Sequence, residues 1–350
     1  MRIGLAFDLK EAGAAPPPPG RPDDFPGDLP DDFPGEQPDD LFEEFDPPET
    51  VAAIESAIAA RGHEVLRLGG GRAFLEGVLK EPLDFVFNIS EGRGTFRGRE
   101  GQVPSVLEML GIPYSFSDPL ALGISLDKDL TKRLVAGAGV AVPPGWMVRG
   151  EDDIGMVLAL HPRFPLFAKP AFEGSSKGIR STSFIPDADT LKRVVPSLLT
   201  DYRQPILVET FVSGDEYTVG VVGNGPAEPL GAMRIRPKSG PDPNFAYTIE
   251  LKRDWENQVA YDIPAPLPPC TLARLLGDAV KAFEALECRD VARVDFRLDG
   301  ETPLFLEINP LPGLSPVYGD LPILARGHGL SYERFMGRIL DAGLRRYGLA

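Results

Sequence analysis

What the chain has little of narrows its function first. Two cysteines among 350 residues, Cys270 and Cys288, are too few for a disulfide framework and suit a reducing compartment. No apolar run approaches the length of a membrane span, and the opening MRIGLAFDL turns polar too soon for a signal peptide, so a cytoplasmic location is expected. Three histidines, His63, His161 and His328, stand outside any motif and read as structural or solvated side chains. Basic residues are scarce: 36 Lys and Arg stand against 52 Asp and Glu, for a net charge of −16. That balance excludes broad electrostatic attraction to nucleic acid or to an anionic membrane, whereas a small anionic ligand needs only a few well-placed cations.

What is present is the composition of a soluble globular protein, 43% apolar and 25% charged, long enough for two or three subdomains. The acidity is local. Residues 21 to 50 hold twelve acids and a single base, Arg21, and so carry most of the net charge. In this stretch PDDFPG begins at Pro22 and again at Pro30, and a truncated PDD follows at Pro38. Proline at this density blocks both helix and sheet ladders, and the carboxylates repel one another. Residues 14–45 are therefore expected to form an irregular, mobile insertion, either a solvated duplication or a lid or docking segment.

Around the insertion the pattern is regular. RIGLAFD reads as a first strand, and Asp46 as a helix N-cap with Pro47 at the first helical position. Val51, Ile54 and Ile58 form the helix's apolar stripe, which Gly62 ends. HEVLRLG and LDFVFNIS read as strands, GQVPSVLEMLGIPYS as a helix stopped at Gly111 and then a strand. Strand and helix in alternation predict a doubly wound N-terminal α/β unit over 1–123. SLDKDLTKRLVAGAG leads by a helix into a small central α+β unit over 124–213, with PLFAKPAF, GIRSTSFI, PILVETFV and EYTVGVVG as its strands and a helix from Ala188 to Leu199. A strand-rich C-terminal α+β unit over 214–350 ends in a helix from Ser331 to Tyr347.

Three clusters carry chemistry. VARVDFRLD and TPLFLEIN alternate with period two, and a hairpin through Asp299–Thr302 that paired Asp295 with Glu307 would set Arg293, Asp295, Glu307 and Asn309 on one face. Two carboxylates and an amide oxygen side by side call for a cation, either Arg293 or a hard metal such as Mg²⁺. A solvated outer face accounts for the alternation alone. In FPLFAKPAFEGSSKGI, Lys169 ends an apolar strand before a loop of small residues that could wrap phosphate oxygens or be an ordinary turn. In PILVETFVSGDEYTV, Glu209 and Phe211 share a strand face and Glu216 opens the next strand, an arrangement suited to an adenine edge and ribose hydroxyls.

In order and spacing, Lys169 with EGSS, the VET-FVSG-EYTV block and RVDF…LEIN-LPG resemble the ATP-grasp superfamily, and most of all the D-alanine–D-alanine ligases. The resemblance runs from about Asn88 to the C-terminus and, with the first strand and helix, covers nearly all of the chain outside the insertion. It implies ATP held between the central and C-terminal units. Lys128 and Lys169 would contact its phosphates, and Ser175 and Ser176 would sit in a loop that closes over them. Glu209, Phe211 and Val212 would face the adenine and Glu216 the ribose. Lys252 matches a lysine of the family's mobile loop. Asp295, Glu307 and Asn309 would hold two Mg²⁺ ions, with Mn²⁺ as a substitute, while Arg293 and the backbone of Gly313 would face the reacting acyl group. The implied activity joins a small carboxylate to an amine through an acyl phosphate, with ADP as product. The alternatives are a hydroxyl acceptor, giving an ester, or a non-catalytic nucleotide binder that docks a partner through the acidic insertion. A homodimer is a further implication of the resemblance.

The sequence departs from the family where substrates bind. A glutamate-bearing segment normally follows the first strand, but here the insertion stands there with only Glu11 nearby. The usual HG…GEDG region is replaced by Asn88–Gly92 and GREG, Gly98 to Gly101. Pro310-Leu311-Pro312-Gly313-Leu314-Ser315 replaces Thr-Ser-Pro-Gly-Met-Thr, Tyr318 aligns with a substrate serine, and Arg253 stands where a tyrosine is common. The nucleotide and metal positions survive, and the substrate positions do not.

Overall fold

The computed structural model describes residues 1–10 and 38–350, so most of the proline- and aspartate-rich insertion lies outside the described residues. The chain begins with β1 (Arg2–Phe7), α1 (Pro48–Ala59), β2 (Glu64–Gly69), α2 (Gly71–Lys80), β3 (Phe85–Ile89) and α3 (Gln102–Leu110). The three strands form a parallel sheet in the order β2-β1-β3. β3 is buried along its whole length, as expected of a parallel strand covered on both faces. Helix α1 begins one residue later than the sequence suggests. Pro47 is its N-cap, without a side-chain cap, and Asp46 instead lies beside Leu9 in a short parallel bridge. The strand expected after Gly111 is reduced to a single bridge between Val86 and Tyr114.

Two capped helices follow. Asp118 accepts from Ala121 N to start α4 (Pro119–Leu126), and Asp127 accepts from Leu130 N to start α5 (Lys128–Gly137). The second cap fixes the helix start so that Lys128 and Lys132 lie one turn apart. Next come β4 (Gly145–Val148), α6 (Glu151–Ala159), β5 (Leu166–Pro170), β6 (Phe184–Ile185), α7 (Ala188–Tyr202) and β7 (Ile206–Thr210). Their antiparallel sheet has the order β4-β7-β5-β6 and packs on α6 and α7 through Val148, Ile154, Leu166, Leu191 and Val208. Of the expected strand GIRSTSFI, only Phe184–Ile185 pairs, after a single 3₁₀ turn at Ser181–Ser183.

The remainder is β8 (Glu216–Val222), β9 (Glu228–Pro237), α8 (Ile249–Arg253), α9 (Trp255–Gln258), β10 (Val259–Asp262), α10 (Pro269–Ala285), β11 (Val291–Asp299), β12 (Thr302–Asn309), α11 (Asp320–Gly327) and α12 (Tyr332–Arg346). Its antiparallel sheet runs β10-β9-β8-β11-β12. EYTVGVVG thus pairs with β9 and β11 and not with the strands around Lys169. Helix α12 leaves its own sheet: Phe335, Ile339 and Leu340 join Ile54 of α1 and Leu5 and Phe87 of the first sheet in one core. The C-terminus therefore closes the N-terminal layer, and Arg346 clamps it by an ion pair to Asp290 of 3.0 Å.

Candidate active site

A cleft with an open volume of about 710 Å³ lies between the four- and five-stranded sheets. From the first sheet it receives Lys169 at the end of β5, and Glu209, Phe211 and Val212 from β7 and the residues after it. From the second it receives Glu216, Thr218, Arg293, Asp295, Arg297 and Glu307. Lys252 of α8 also lines it. The β5–β7 register places Lys169 near Glu209, whose carboxylate takes an ion pair from Lys169 at 2.9 Å and another from Lys132 of α5. Burial raises the Glu209 pKa, but the two lysines outweigh it and hold the carboxyl below its usual range. Burial also pushes Lys132 down to about 8, against the pull of Glu209.

The β11–β12 hairpin has the pairing expected, Arg293 with Asn309 and Asp295 with Glu307, turning through Gly300 at φ +61°. A bulge between Asp295 and Phe296 alters the next residues. Simple alternation groups Phe305 with Glu307, but the bulge opposes Phe305 to Phe296 in the core, where the rings meet edge to face at 5.9 Å. Leu306 turns into the cleft beside Glu307 instead. Re-aiming a side chain next to a site is a common use of a bulge.

Cations of the protein answer these carboxylates. Arg293 Nε donates to Asp295 Oδ2 at 2.9 Å, Thr218 Oγ1 donates to Asp295 Oδ1 at 2.7 Å, and Lys128 Nζ pairs with Glu307 at 3.0 Å. Burial opposes ionisation of Glu307, yet Lys128, Lys169 and Arg293 hold its carboxyl well below the ordinary range. Glu216, buried and close to Asp295 and Glu307, is pushed up to about 7 despite Arg297. Asp295, Glu307 and Asn309 fit a hard cation as a donor set. Mg²⁺ takes one or two carboxylates and draws its other ligands from phosphates and water. Among the described residues no group of three or more His, Cys, Asp or Glu is gathered to hold a metal.

A second cavity adjoins the first at Glu307 and across the 173–178 loop. Ser175 faces it and Ser176 faces the cleft, both with left-handed backbone, φ +48° and +61°. Two consecutive non-glycine residues in that region store strain of about 1–3 kcal/mol each, a feature of ligand clamps. The loop is held from outside by the last residues of the insertion. Glu44 accepts from Gly174 N at 2.8 Å and pairs with Arg99 at 2.9 Å and Lys177 at 3.2 Å. A side chain at Gly174 would meet Glu44 Oε1 at 2.7 Å, so this contact needs glycine. Asp40 accepts from Gly178 N and Tyr202 Oη, each at 2.9 Å. Asp39 and Glu43 both pair with Arg253 of α8, and Asp39 also with Arg180. The end of the insertion is irregular, as expected, being made of turns, and it forms an acidic strap against the loop and α8.

The expected site residues Lys128, Lys169, Ser175, Ser176, Glu209, Phe211, Val212, Glu216, Lys252, Arg293, Asp295, Glu307 and Asn309 all line one cavity or the other. Gly313 lies four residues beyond Asn309 and lines neither. Sequence reasoning missed Lys132, Arg297, Glu44, Glu91 and Glu100. Arg297 was visible in principle: it continues the Arg293, Asp295 face, and its guanidinium lies over Phe211 at 5.1 Å and donates to Val212 O at 2.8 Å. The signal for Glu44 was the point where the repeat breaks down, PDDLFEEFD in place of PDDFPG.

Known proteins of this shape can now be compared. The family profile described as D-ala D-ala ligase C-terminus matches residues 134–341. A D-alanine–D-alanine ligase of Syntrophotalea carbinolica is 34% identical over 300 residues, 85% of this chain and 91% of the relative. The chain belongs to the D-alanine–D-alanine ligase family. It is thus an ATP-grasp carbon–nitrogen ligase. An uncharacterized protein, y4sG, of Sinorhizobium fredii is also 34% identical, over 84% of this chain and 87% of that protein. Two solved structures show the ligase fold at low identity. The Bacillus anthracis D-alanine–D-alanine ligase complexed with ATP superposes with TM-score 0.68 at 20% identity, covering 99% of this chain and 98% of that one. The VanG D-Ala:D-Ser ligase of Enterococcus faecalis gives 0.69 at 19%, covering 98% and 99%. Within this ligase, Arg253 is spent on Asp39 and Glu43 of the strap, while Tyr318, aligned with a substrate serine, lines neither cavity.

Proposed function

We propose that the enzyme uses ATP and Mg²⁺ to activate a small carboxylate, an amino acid, as its acyl phosphate and passes the acyl group to an amine. The observation that carries this reading is the junction of the two cavities at Glu307, which pairs with Lys128 of the second. A nucleotide in the cleft and a carboxylate in the second cavity would meet there. Phe211 and Val212 would face the adenine, Glu209 would hold Lys132 and Lys169 beside the phosphates, and Glu216 with Arg297 would hold the ribose end. Lys128, Lys169 and Lys252 would neutralise phosphate charge, and Ser175 and Ser176 would close over it. Asp295, Glu307 and Asn309 would hold Mg²⁺, which when bound screens the charge of the transferring phosphoryl group.

A donor carboxylate oxygen attacks the γ-phosphorus in line and ADP leaves. The amine nitrogen then attacks the acyl carbon, phosphate departs, and the nitrogen loses its proton. Arg293, with the Gly313 N–H after loop movement, would stabilise the tetrahedral oxyanion. The acyl phosphate hydrolyses easily, so water must be excluded. The strap supports such closure, because Glu44 and Asp40 tether the 174–178 loop. Its acids are engaged within the chain, which favours a substrate cover over a docking tail for a partner protein. D-alanine is the substrate named for the relatives and the first to try on either side of the bond. Among the described residues no helix is long and apolar enough to cross a membrane. We place the enzyme in the cytoplasm, where ATP is available and free Cys270 and Cys288 stay reduced.

The test is ADP release screened over paired amino acids, with mass spectrometry of the product, in wild type and Asp295→Asn. A condensed product lost in the variant supports the reading. ADP release independent of Asp295 would sink it.

A further inference from the structure

The second cavity holds more negative charge than its own cations answer. Four glutamates, Glu44, Glu91, Glu100 and Glu173, line it on the side away from the nucleotide cleft. Two are matched: Arg99 pairs with Glu44 at 2.9 Å and Glu173 at 3.2 Å, and Lys177 pairs with the same two at 3.2 and 2.6 Å. Lys128, the cation lining the cavity, is engaged by Glu307. Glu91 and Glu100 are left over. Among the described residues neither forms an ion pair or a side-chain hydrogen bond, and Glu100 is only 7% exposed. Counting Glu307, five carboxylates thus face three cations, Arg99, Lys128 and Lys177. An excess of negative charge on a cavity wall that includes the buried Glu100 is costly, which implies that something cationic completes it. The α-ammonium of a simple amino acid supplies one positive charge for two carboxylates.

We propose that the donor is an amino acid with a second cationic group on its side chain, a diamino acid, whose two ammonium groups satisfy Glu91 and Glu100. This rests on the reading that the second cavity takes the donor carboxylate. Burial pushes Glu100 up to about 7 and, with Glu44 and Glu100 nearby, raises Glu91 well above the ordinary range.

Donor activation can be read without knowing the acceptor. Hydroxylamine attacks the acyl phosphate at carbon, phosphate leaves, and the hydroxamate is measured. Both enantiomers of alanine, 2,3-diaminopropionate, 2,4-diaminobutyrate, ornithine and lysine would be compared in wild type, Glu100→Gln and Glu91→Gln. The expected result is kcat/KM for a diamino acid at least about tenfold above alanine, with either variant shifting the ratio toward alanine by about tenfold. ATP affinity, measured separately, reports that each variant is folded. Equal use of alanine and diamino acids by wild type, or a variant that lowers both alike, would overturn the inference and leave the ligase reading standing. Bound ATP with no hydroxamate from any amino acid would overturn both.

Discussion

The two cavities are built from opposite electrostatics. In the nucleotide cleft each acidic side chain has a cation within reach: Glu209 has Lys132 and Lys169, Asp295 has Arg293, Glu216 has Arg297, and Glu307 has Lys128 across the junction. In the adjoining cavity Glu91 and Glu100 form no ion pair among the described residues, and Arg99, which lies near both, is already paired with Glu44 and Glu173. The cleft is charge-balanced before ligand arrives, so on the proposed reading a ligand that enters must rearrange existing pairs. The donor cavity is charge-deficient, so its ligand supplies what the protein withholds. The first design suits a cosubstrate common to a whole superfamily, and the second leaves room for specificity.

The sharpest way to break the comparison is to remove charge from the cleft. Asp295→Asn should lower the rate of ADP release by about 10²–10³-fold at saturating substrates, as loss of a charge-stabilising group at a reacting centre does. Steady-state ADP release would check this, and a loss below tenfold would show that the hairpin does not centre the chemistry. Next in size is Glu44→Gln. It removes the counter-charge shared by Arg99 and Lys177 while keeping an acceptor for Gly174 N. A hydrogen bond to a charged group contributes about 1.5–3 kcal/mol, so donor KM should rise about tenfold or more with little change in ATP affinity.

A smaller effect reads the second cavity by pH. Glu100 has a folded-state pKa of about 7, above its ordinary 4.5, caused first by burial and then by Glu44 and Glu173 against Arg99 and Lys128. Its protonated form is the one the fold tolerates. Its contribution to stability is therefore complete below about pH 4.5 and is lost as pH rises through about 7. For a cationic donor the sign reverses: kcat/KM should rise through pH 7 as Glu100 ionises. Glu100→Gln should remove that inflection and flatten the matching decline in melting temperature of the ligand-free protein. In the cleft, Glu209 and Glu307 are held below the ordinary range but Glu216 is also pushed up to about 7, so loss of the inflection in Glu100→Gln is what assigns it to the second cavity.

The same contrast explains what could be read from sequence. The cleft is made of strand residues whose period-two spacing is local, so Arg293, Asp295, Glu307 and Asn309 were assignable from one hairpin and its turn. Only the bulge was invisible, because nothing in the alternation of TPLFLEIN marks where the strand slips. The donor cavity is assembled from the end of the insertion, the loop after β3, the turn at Arg99–Gly101 and α4. No periodicity links Glu44 to Arg99 or Gly174, and composition argued the other way, since proline and aspartate at that density normally mean an unstructured chain. β8 was misassigned for a related reason. Its burial pattern shows that it is a strand but not which sheet will pair with it.

The smallest expected effect tests whether the strap is a working part of this cavity or a passive cover. Arg253 joins Asp39 at 2.7 Å and Glu43 at 2.9 Å, and so links α8, whose Lys252 lines the cleft, to the strap that holds the 174–178 loop. Asp39 and Arg253 are both well exposed, so each pair contributes at most about 1 kcal/mol and weakens with salt. If the link aligns α8 with the loop, Arg253→Ala should raise KM for donor or ATP by about two- to fivefold and leave kcat nearly unchanged. Raising ionic strength should produce the same shift in wild type and none in the variant. A variant with unchanged KM, or one that keeps the salt response, would show that the strap acts through Glu44 and Asp40 alone.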